Sequence, residues 1–479
     1  MRRGRRRARR VGGLARTGHG RIAAPGGRGK TLRVSDRATA DEVSEADGGP
    51  TRLRRAVSGR LLFLFILGDV LGAGIYALIG VIAGEVGGAV WIPLLVALGL
   101  ALLTAASYAE LVTKYPRAGG SAVFAERAYG SPLISFLVGF CMLAAGVTSA
   151  AGLSLAFAGD YLRVFLDVPA VPAALVFLVL VALVNARGIQ ESVRANVVMT
   201  VVEVSGLVLV VVLGAVVLGR GDGDAGRVLE FPPGVSVASG VLAAALVAYY
   251  SFVGFEVSAN VAEEVRDVRR VYPRALFGAL LVAGVVYLLV GLAASVVLAP
   301  DDLAASSGPL LAVVQAADVG IPDQLFSLVA LVAVANGALL TMIMASRLVF
   351  GMSEQGLLPR PLGRVLPGRR TPWVAIVLTT LVAMGLTLVG DLGDLANAVV
   401  LLLLLVFLST NTAVLVLRRE RVEEEHFRVP AVVPVLAIGS CLLLLSQQEW
   451  RTWLLAGAEL AVGVLLYLLA RAPWWAGRR

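Results

Sequence analysis

Residues 67–80 read LGDVLGAGIYALIG and lie inside an apolar stretch that runs from Leu61 to Gly84. The stretch is long enough to cross a bilayer as one helix. It nevertheless places Asp69 and the helix-weakening run Gly72-Ala73-Gly74 where a simple membrane anchor would have leucine. Irregular backbone at membrane depth is tolerated only where it lines a cavity or is buried in protein. The stretch therefore predicts a broken membrane helix beside such a cavity.

The composition indicates the class of protein to which this helix belongs. Of the 479 residues, 58% are hydrophobic and 16% are charged, and the mean hydropathy is +0.84. These values exclude an ordinary soluble domain and predict an all-α polytopic membrane protein. Twelve apolar spans of membrane-crossing length are predicted. They lie near residues 61–84, 86–112, 130–159, 169–186, 195–219, 236–262, 275–299, 324–346, 371–390, 395–417, 430–447 and 452–470.

The basic residues predict the orientation of these spans. If the N-terminus is cytoplasmic, all but four of the 42 Arg and Lys fall in the first 60 residues, the inner loops or the tail after Ala470. The exceptions are Arg163, Arg220, Arg227 and Arg451. The positive-inside rule then places both termini in the cytoplasm. The dominance of Arg over Lys, with abundant Ala, Gly and Val, indicates a GC-rich bacterial genome and therefore the cell membrane of a bacterium.

Several other classes of function find little support. Residues 1–58 begin MRRGRRRARR and are predicted to form a disordered, Arg-rich cytoplasmic tail. The net charge of +9 reflects this tail and the topology, so no nucleic-acid partner is predicted, although the tail would attract anionic lipid. Cys141 and Cys441 fall within predicted spans, and the only histidines are His19 and His426. We therefore expect no enzyme, no cofactor and no metal site.

The chemistry of a broken helix suggests what the cavity binds. The second half of such a helix exposes amide N–H groups, which suit a carboxylate, and the first half exposes carbonyl groups, which suit an ammonium group or a cation. A zwitterion would be bound well. The alternative is that the small residues only let two helices approach closely.

A second interruption occurs in the sixth predicted span, where Gly254 and the acidic Glu256 stand among Tyr249, Tyr250, Phe252 and Phe255. Corresponding breaks in two halves of a chain indicate a midplane site between inverted repeats. The prediction is a 5+5 inverted repeat with broken helices 1 and 6, followed by two peripheral helices. The repeats would cover residues 59–220 and 234–420, and residues 429–479 would hold helices 11–12 and a cytoplasmic tail.

Five motifs in order give the chain a resemblance to a known family. They are GAGIY at 72–76, YAEL and YPRAGGSAVFAERAYG between 108 and 130, NARGIQES at 185–192, SFVGFEVSANVAEEVRDVRRVYPRAL at 251–276 and ASRLVFGMSEQGLLP at 345–359. Together they resemble the amino acid, polyamine and organocation permeases. The resemblance implies a secondary transporter with the inverted five-helix repeat, working by alternating access.

The resemblance also implies which residues bind the substrate. Gly72, Ala73 and Gly74 match the unwound segment whose amides hold the substrate carboxylate. The partner segment, whose carbonyls hold the α-ammonium group, matches Tyr250, Ser251, Phe252, Val253 and Gly254. An aromatic ring at 250 or 252 would close over the ligand.

Energy coupling is the part of the resemblance where this sequence departs from some members. They have a lysine in the middle of helix 5, whereas this chain has Glu203 near that place. An intramembrane carboxylate is costly unless it is neutral, paired or hydrated, and a like-charged neighbour such as Asp69 would favour its protonated form. Glu203 is therefore predicted to carry the coupling proton, with a purely structural acid as the alternative. Glu256 resembles an acid linked to pH sensing in some relatives. Asp69 and Glu256 are therefore predicted, with Glu203, to be the coupling residues.

The substrate is predicted to be a neutral amino acid or a similar small amine. Val70, Ile75, Val253 and Ala335 to Ala338 suit an uncharged side chain. A cationic amino acid or polyamine would be recognised only if Asp69 or Glu256 faced the site. An amino acid/amine exchanger, a sodium-coupled symporter and a non-transporting membrane sensor remain alternatives, and the sequence leaves the oligomeric state open.

Three further acids at predicted cytoplasmic helix ends are expected to form ion pairs. These are Glu110, Glu263 and Glu264, with Arg127, Arg266 or Arg270 as partners.

Overall fold

The computed structural model describes residues 57–72, 74–116, 120–187, 192–234, 236–366, 371–420, 422 and 424–471. The predicted N-terminal tail lies outside these residues, except for Val57 and Ser58. Ala73, in the middle of the first predicted break, also lies outside them.

The described residues are helical, apart from loops and an isolated parallel bridge between Val57 and Val265. The α-helices are α1 Gly59–Val70, α2 Gly74–Val86, α3 Trp91–Lys114, α4 Gly120–Tyr129, α5 Pro132–Phe157, α6 Asp160–Arg163, α7 Ala170–Arg187, α8 Ser192–Arg220, α9 Val237–Tyr250, α10 Val268–Val297, α11 Pro300–Ala305, α12 Pro309–Ala316, α13 Asp323–Glu354, α14 Trp373–Val389, α15 Leu392–Leu417, α16 Val432–Ser446 and α17 Trp450–Arg471. Segments of 3₁₀-helix cover Ala225–Leu229, Phe255–Glu264 and Arg360–Gly363.

These helices confirm a multi-pass α-helical membrane protein. Nine helices in the described part of the chain are long and apolar enough to cross a membrane, and α1 and α2 together add a tenth, broken span. Two shorter apolar helices, α14 with 17 residues and α16 with 15, lie where the ninth and eleventh spans are predicted. The count of twelve spans and the division into inverted repeats stay predictions.

Local conformation explains a difference at one boundary. The second span was predicted to start at residue 86, but α2 runs through Val86 and α3 starts at Trp91. The chain turns at Gly87, where φ is +71° and an added Cβ would lie 2.8 Å from the carbonyl oxygen of Glu230. Glycine takes this conformation without a steric penalty, so the turn at Gly87 sets the boundary between the two helices a few residues later than the apolar composition predicts.

Helix α5 lies in the centre of the bundle, where it packs against α13 and α15. Its buried positions include many small residues, among them Gly146, Ala150 and Gly152. Lipid is as apolar as leucine, so close contact between small residues, rather than hydrophobic burial, holds membrane helices together. By contrast, α7 and α17 expose large apolar side chains, such as Leu180 at 55% and Leu465 at 55%, which suit contact with lipid.

A buried ion pair joins the end of α3 to the end of α15. Arg418 donates to both carboxylate oxygens of Glu110, from Nε at 2.8 Å and from Nη2 at 2.6 Å, and the backbone N–H of Val429 also donates to Glu110. The expectation that Glu110 pairs with Arg127, Arg266 or Arg270 is therefore wrong. Arg127 instead pairs with Glu420 at 3.2 Å, because the fold brings the end of α15 beside α3 and α4.

Candidate substrate cavity and coupling residues

The first break lies between α1 and α2, whose axes differ by 42°. α1 ends at Val70, Leu71 caps it by donating to the carbonyl of Leu67, and α2 begins at Gly74. An added Cβ on Gly74 would lie 3.0 Å from Cα of Ser251. The absence of a side chain at Gly74 thus lets the first break touch the backbone of the second.

The second break follows α9, which ends at Tyr250. The chain turns through residues 251–254 and continues as the 3₁₀-segment Phe255–Glu264. Gly254 has φ of +123°, and an added Cβ would lie 2.8 Å from the carbonyl oxygen of Asp69. The Gly254 N–H donates to Oε2 of Glu256 at 2.9 Å. The two breaks therefore contact each other through their backbones at two glycines.

A cavity of about 490 Å³ adjoins both breaks. Its walls come from the breaks, the 3₁₀-segment Phe255–Glu264, α5, α13 and α15. It extends toward the N-terminal end of α1, where Val57, Glu264 and Arg347 line it. A volume of this size accommodates a small-molecule ligand.

The structure brings most of the predicted substrate-binding residues to this cavity. Those that line it are Gly72, Gly74, Tyr250, Ser251, Val253 and Gly254. Ile75 and Phe252 are fully buried but do not line the cavity. The Tyr250 hydroxyl lies 2.7 Å from Oγ of Ser149, whereas the Phe252 ring packs edge-on against Tyr287 with centroids 5.2 Å apart. Of the two aromatic residues predicted to close over the ligand, Tyr250 is therefore in position to contact a ligand in this cavity and Phe252 is not.

The three predicted coupling acids fall into two places. Asp69 and Glu256 line the cavity, and Oδ2 of Asp69 is buried with no hydrogen-bond partner among the described residues. Glu203 does not line the cavity. Its Oε1 accepts a hydrogen bond from Nδ2 of Asn336 on α13 at 3.0 Å, and its Oε2 is buried without a hydrogen-bond partner in the described part of the chain. Glu203 thus lies between helices, apart from this cavity.

One wall of the cavity is apolar. Met142, Ala145 and Gly146 of α5 and Met344 of α13 contribute to it. An added Cβ on Gly146 would lie 2.9 Å from Cε of Met344. This wall offers a ligand apolar contacts and no charged partner, so it suits an uncharged side chain.

On the side of the breaks away from Val57, hydrogen bonds connect the short helix α6 to its neighbours. The Tyr161 hydroxyl donates to the carbonyl of Tyr76 on α2 at 2.8 Å. Nearby, Oδ2 of Asp160 accepts from the backbone N–H groups of Ser307 at 2.9 Å and Gly308 at 3.1 Å. These bonds tie α6 to α2 and to the connection between α11 and α12.

One residue of the site was missed by sequence reasoning. The Tyr287 hydroxyl donates toward two backbone carbonyls, that of Val70 at 2.5 Å and that of Ser251 at 3.1 Å. Each carbonyl belongs to one break. The only sequence signal is a lone tyrosine in the aliphatic stretch VAGVVYLLVGL at residues 282–292, which by itself indicates no function.

Comparison with known proteins gives the family. A model of the amino acid permease family matches residues 60–449. The methylthioribose transporter of Bacillus subtilis is 29% identical over 454 residues, which cover 89% of this chain and 96% of that protein. The branched-chain amino acid permease BcaP of the same bacterium is 26% identical over 452 residues, which cover 89% of this chain and 95% of that protein. The vacuolar cationic amino acid transporter 4 of Arabidopsis thaliana is 29% identical over 400 residues, which cover 77% of this chain and 64% of that protein. Because the family model spans most of the chain, this protein belongs to the amino acid permeases of the amino acid, polyamine and organocation superfamily, as its five motifs predicted.

Proposed function

We propose that this permease is a secondary active transporter that carries neutral amino acids across a bacterial cytoplasmic membrane by alternating access. The observation that supports this most directly is the contact of the two broken helices beside one cavity. The amides after the first break would hold the substrate carboxylate, and the carbonyls of both breaks would hold its ammonium group. The carboxylate and the ammonium group of the substrate would thereby exchange their hydrogen bonds with water for hydrogen bonds with the protein backbone.

The apolar wall supports a neutral substrate side chain. Met142, Gly146 and Met344 would contact it, and a methionine side chain adapts to ligands of different shape. The name of one relative, a branched-chain amino acid permease, agrees with an aliphatic substrate.

A cationic amino acid or amine is the second candidate. Asp69 and Glu256 both line the cavity, which is the condition that a cationic side chain would require. Several relatives are named as cationic amino acid transporters. We rank this candidate second because Oε2 of Glu256 already accepts the N–H of Gly254, so that oxygen serves the break rather than a ligand.

We further propose proton-coupled symport with Glu203 as the proton carrier. Its partner Asn336 satisfies one carboxylate oxygen, and the other is buried without a described hydrogen-bond partner. A carboxyl group in this setting avoids a large desolvation cost by binding a proton. An exchanger or a sodium-coupled symporter is the alternative mechanism.

The proposed orientation has both termini in the cytoplasm. The cavity extends toward the N-terminal end of α1, so in this orientation it faces the cytoplasm. The hydrogen bonds of Tyr161 and Asp160 would then close the outer side. The structure would thus represent an inward-facing state of the transport cycle.

Uptake of radiolabelled amino acids into proteoliposomes tests the function and the coupling together. Wild type and Glu203→Gln are compared with and without an imposed inward proton gradient, for leucine, alanine, serine and arginine. We expect the gradient to drive accumulation of a neutral amino acid by wild type. In Glu203→Gln, gradient-driven accumulation should be lost while exchange of labelled for unlabelled substrate persists, because an amide does not carry the proton.

The matched control is Glu85→Gln, which removes an exposed acid at the end of α2 and should leave gradient-driven uptake unchanged. Replacement of sodium by choline at constant pH separates sodium coupling from proton coupling. Uptake of arginine without uptake of any neutral amino acid would contradict the proposed substrate. Undiminished gradient-driven accumulation by Glu203→Gln would contradict its role as proton carrier.

A further inference from the structure

Tyr287 of α10 stands where the two breaks meet. It is fully buried, and its ring is held edge-on by Phe252. Its hydroxyl lies 2.5 Å from the carbonyl oxygen of Val70 and 3.1 Å from that of Ser251. These two carbonyls belong to residues 181 positions apart in the chain, and a single hydroxyl of a third helix joins them.

Both carbonyls need a partner because of the breaks. A helix leaves its last carbonyl groups without intrahelical donors, and a carbonyl that is buried at membrane depth without a hydrogen bond is costly. Val70 is the last residue of α1, and Ser251 caps the end of α9. The single O–H hydrogen of Tyr287 is shared between the two carbonyls, with the shorter contact to Val70 and the longer one to Ser251.

The same carbonyls are among those proposed to hold the substrate ammonium group. Val70 and Ser251 both line the cavity. A carbonyl oxygen has two lone pairs, so an oxygen that accepts from Tyr287 still accepts from a second donor. The hydroxyl and an ammonium group are therefore compatible partners of the same pair of oxygens.

We propose that Tyr287 is a positioning residue whose hydroxyl ties the end of α1 to the break after α9 and sets the spacing of the carbonyls that bind the substrate's ammonium group. The proposal rests on the proposed function for its second half, because the ammonium group is that of the transported amino acid. Its first half, the tie between the two breaks, is independent of any ligand.

Hydrogen–deuterium exchange of the full-length protein in detergent, without added ligand, tests the tie. Tyr287→Phe is compared with wild type and with Tyr272→Phe, a matched control that removes a buried hydroxyl from the same helix, there paired with Ser258 at 2.7 Å. In Tyr287→Phe, peptides that cover residues 66–76 and 248–256 should exchange several-fold faster, because the backbone bonds at both breaks open more often. Unchanged exchange at both breaks, or equal acceleration by the control, would overturn the proposal.

Ligand binding then tests the positioning role. The probes are L-leucine and 4-methylpentanoate, which has the same carbon skeleton and lacks the amino group. Tyr287→Phe should weaken leucine binding by about tenfold or more, the loss expected when one hydrogen bond to a charged group is disturbed. Binding of 4-methylpentanoate should change by less than about twofold. An equal loss for both probes would contradict positioning of the ammonium site.

The experiments distinguish a failure of the proposed transport function from a failure of the proposed role of Tyr287. If the wild type binds neither leucine nor any other amino acid of the uptake panel, the proposed function is wrong. In that case the exchange experiment still decides whether Tyr287 ties the breaks together.

Discussion

At the scale of single residues, the site depends on two glycines that bring backbone against backbone. Gly74 approaches Ser251, and Gly254 approaches the carbonyl of Asp69. Gly254 also has φ of +123°, a conformation that residues with a Cβ rarely adopt. Its role therefore combines a steric requirement with a conformational one.

The substitution Gly254→Ala should disrupt this contact. The added Cβ would lie 2.8 Å from the Asp69 carbonyl, which is backbone and cannot rotate away, and the strained φ adds a cost on the order of 1–3 kcal/mol. We expect a lower melting temperature in detergent and loss of uptake. The control is Gly385→Ala on α14, where an added Cβ meets nothing within 4 Å and alanine favours the helix. Wild-type stability and uptake in Gly254→Ala would refute the close contact.

At the scale of elements, the cavity is the space that α5 and α13 leave beside the two broken helices. Both helices present small residues there, with Gly146 on α5 and Gly337 on α13. The width of the apolar wall is therefore set by how closely these two helices pack, and by the position of Met344.

A methyl group added to α5 should make the transporter discriminate more strongly against amino acids with large side chains. In Gly146→Ala the new Cβ would lie 2.9 Å from Cε of Met344, which is flexible and would be pushed into the cavity. We expect KM for leucine to rise by about tenfold, in the range that one methylene changes discrimination in an apolar pocket, with little change for alanine. Uptake kinetics of the two substrates measure this ratio.

The control for this change is Gly139→Ala, on the same helix and outside the cavity. Its added Cβ would make ordinary contacts at 3.6 Å or more, so the ratio of the two KM values should stay as in wild type. An unchanged ratio in Gly146→Ala would show that the substrate side chain does not occupy the apolar wall.

At the scale of the whole molecule, the ends of distant helices are joined by a buried ion pair. Glu110 and Arg418 are 308 residues apart, and their side chains are only 2% and 13% exposed. Two N–H groups of the guanidinium bind the two carboxylate oxygens, which is the geometry that distinguishes Arg from Lys.

Replacing only one member of the Glu110–Arg418 pair should lower the free energy of unfolding more than replacing both members. Arg418→Ala leaves the Glu110 carboxylate buried without its charge partner, and we expect a loss of about 3–5 kcal/mol in the free energy of unfolding. The double variant Glu110→Gln/Arg418→Ala should recover part of that loss in a thermal denaturation series. By comparison, Arg127→Ala breaks an exposed pair with Glu420 and should cost less than about 1 kcal/mol. Equal losses in Arg418→Ala and Arg127→Ala would contradict this ranking.

Sequence alone was sufficient for the class of the protein, its family and the positions of the two breaks. Hydropathy and the runs at Gly72 to Gly74 and around Gly254 are properties of short segments, and such segments determine whether a helix enters the membrane or is interrupted. These features need no knowledge of which helix lies beside which.

The tertiary structure decided which side chains share the cavity. It placed Asp69 and Glu256 in the lining and Glu203 outside it, it directed Phe252 onto Tyr287 rather than over the cavity, and it paired Glu110 with Arg418. The face that a helical residue presents, and the neighbour that it meets, depend on the rotation and packing of helices far apart in the chain. In a chain whose spans are apolar on nearly every side, no periodic pattern in the sequence encodes that rotation.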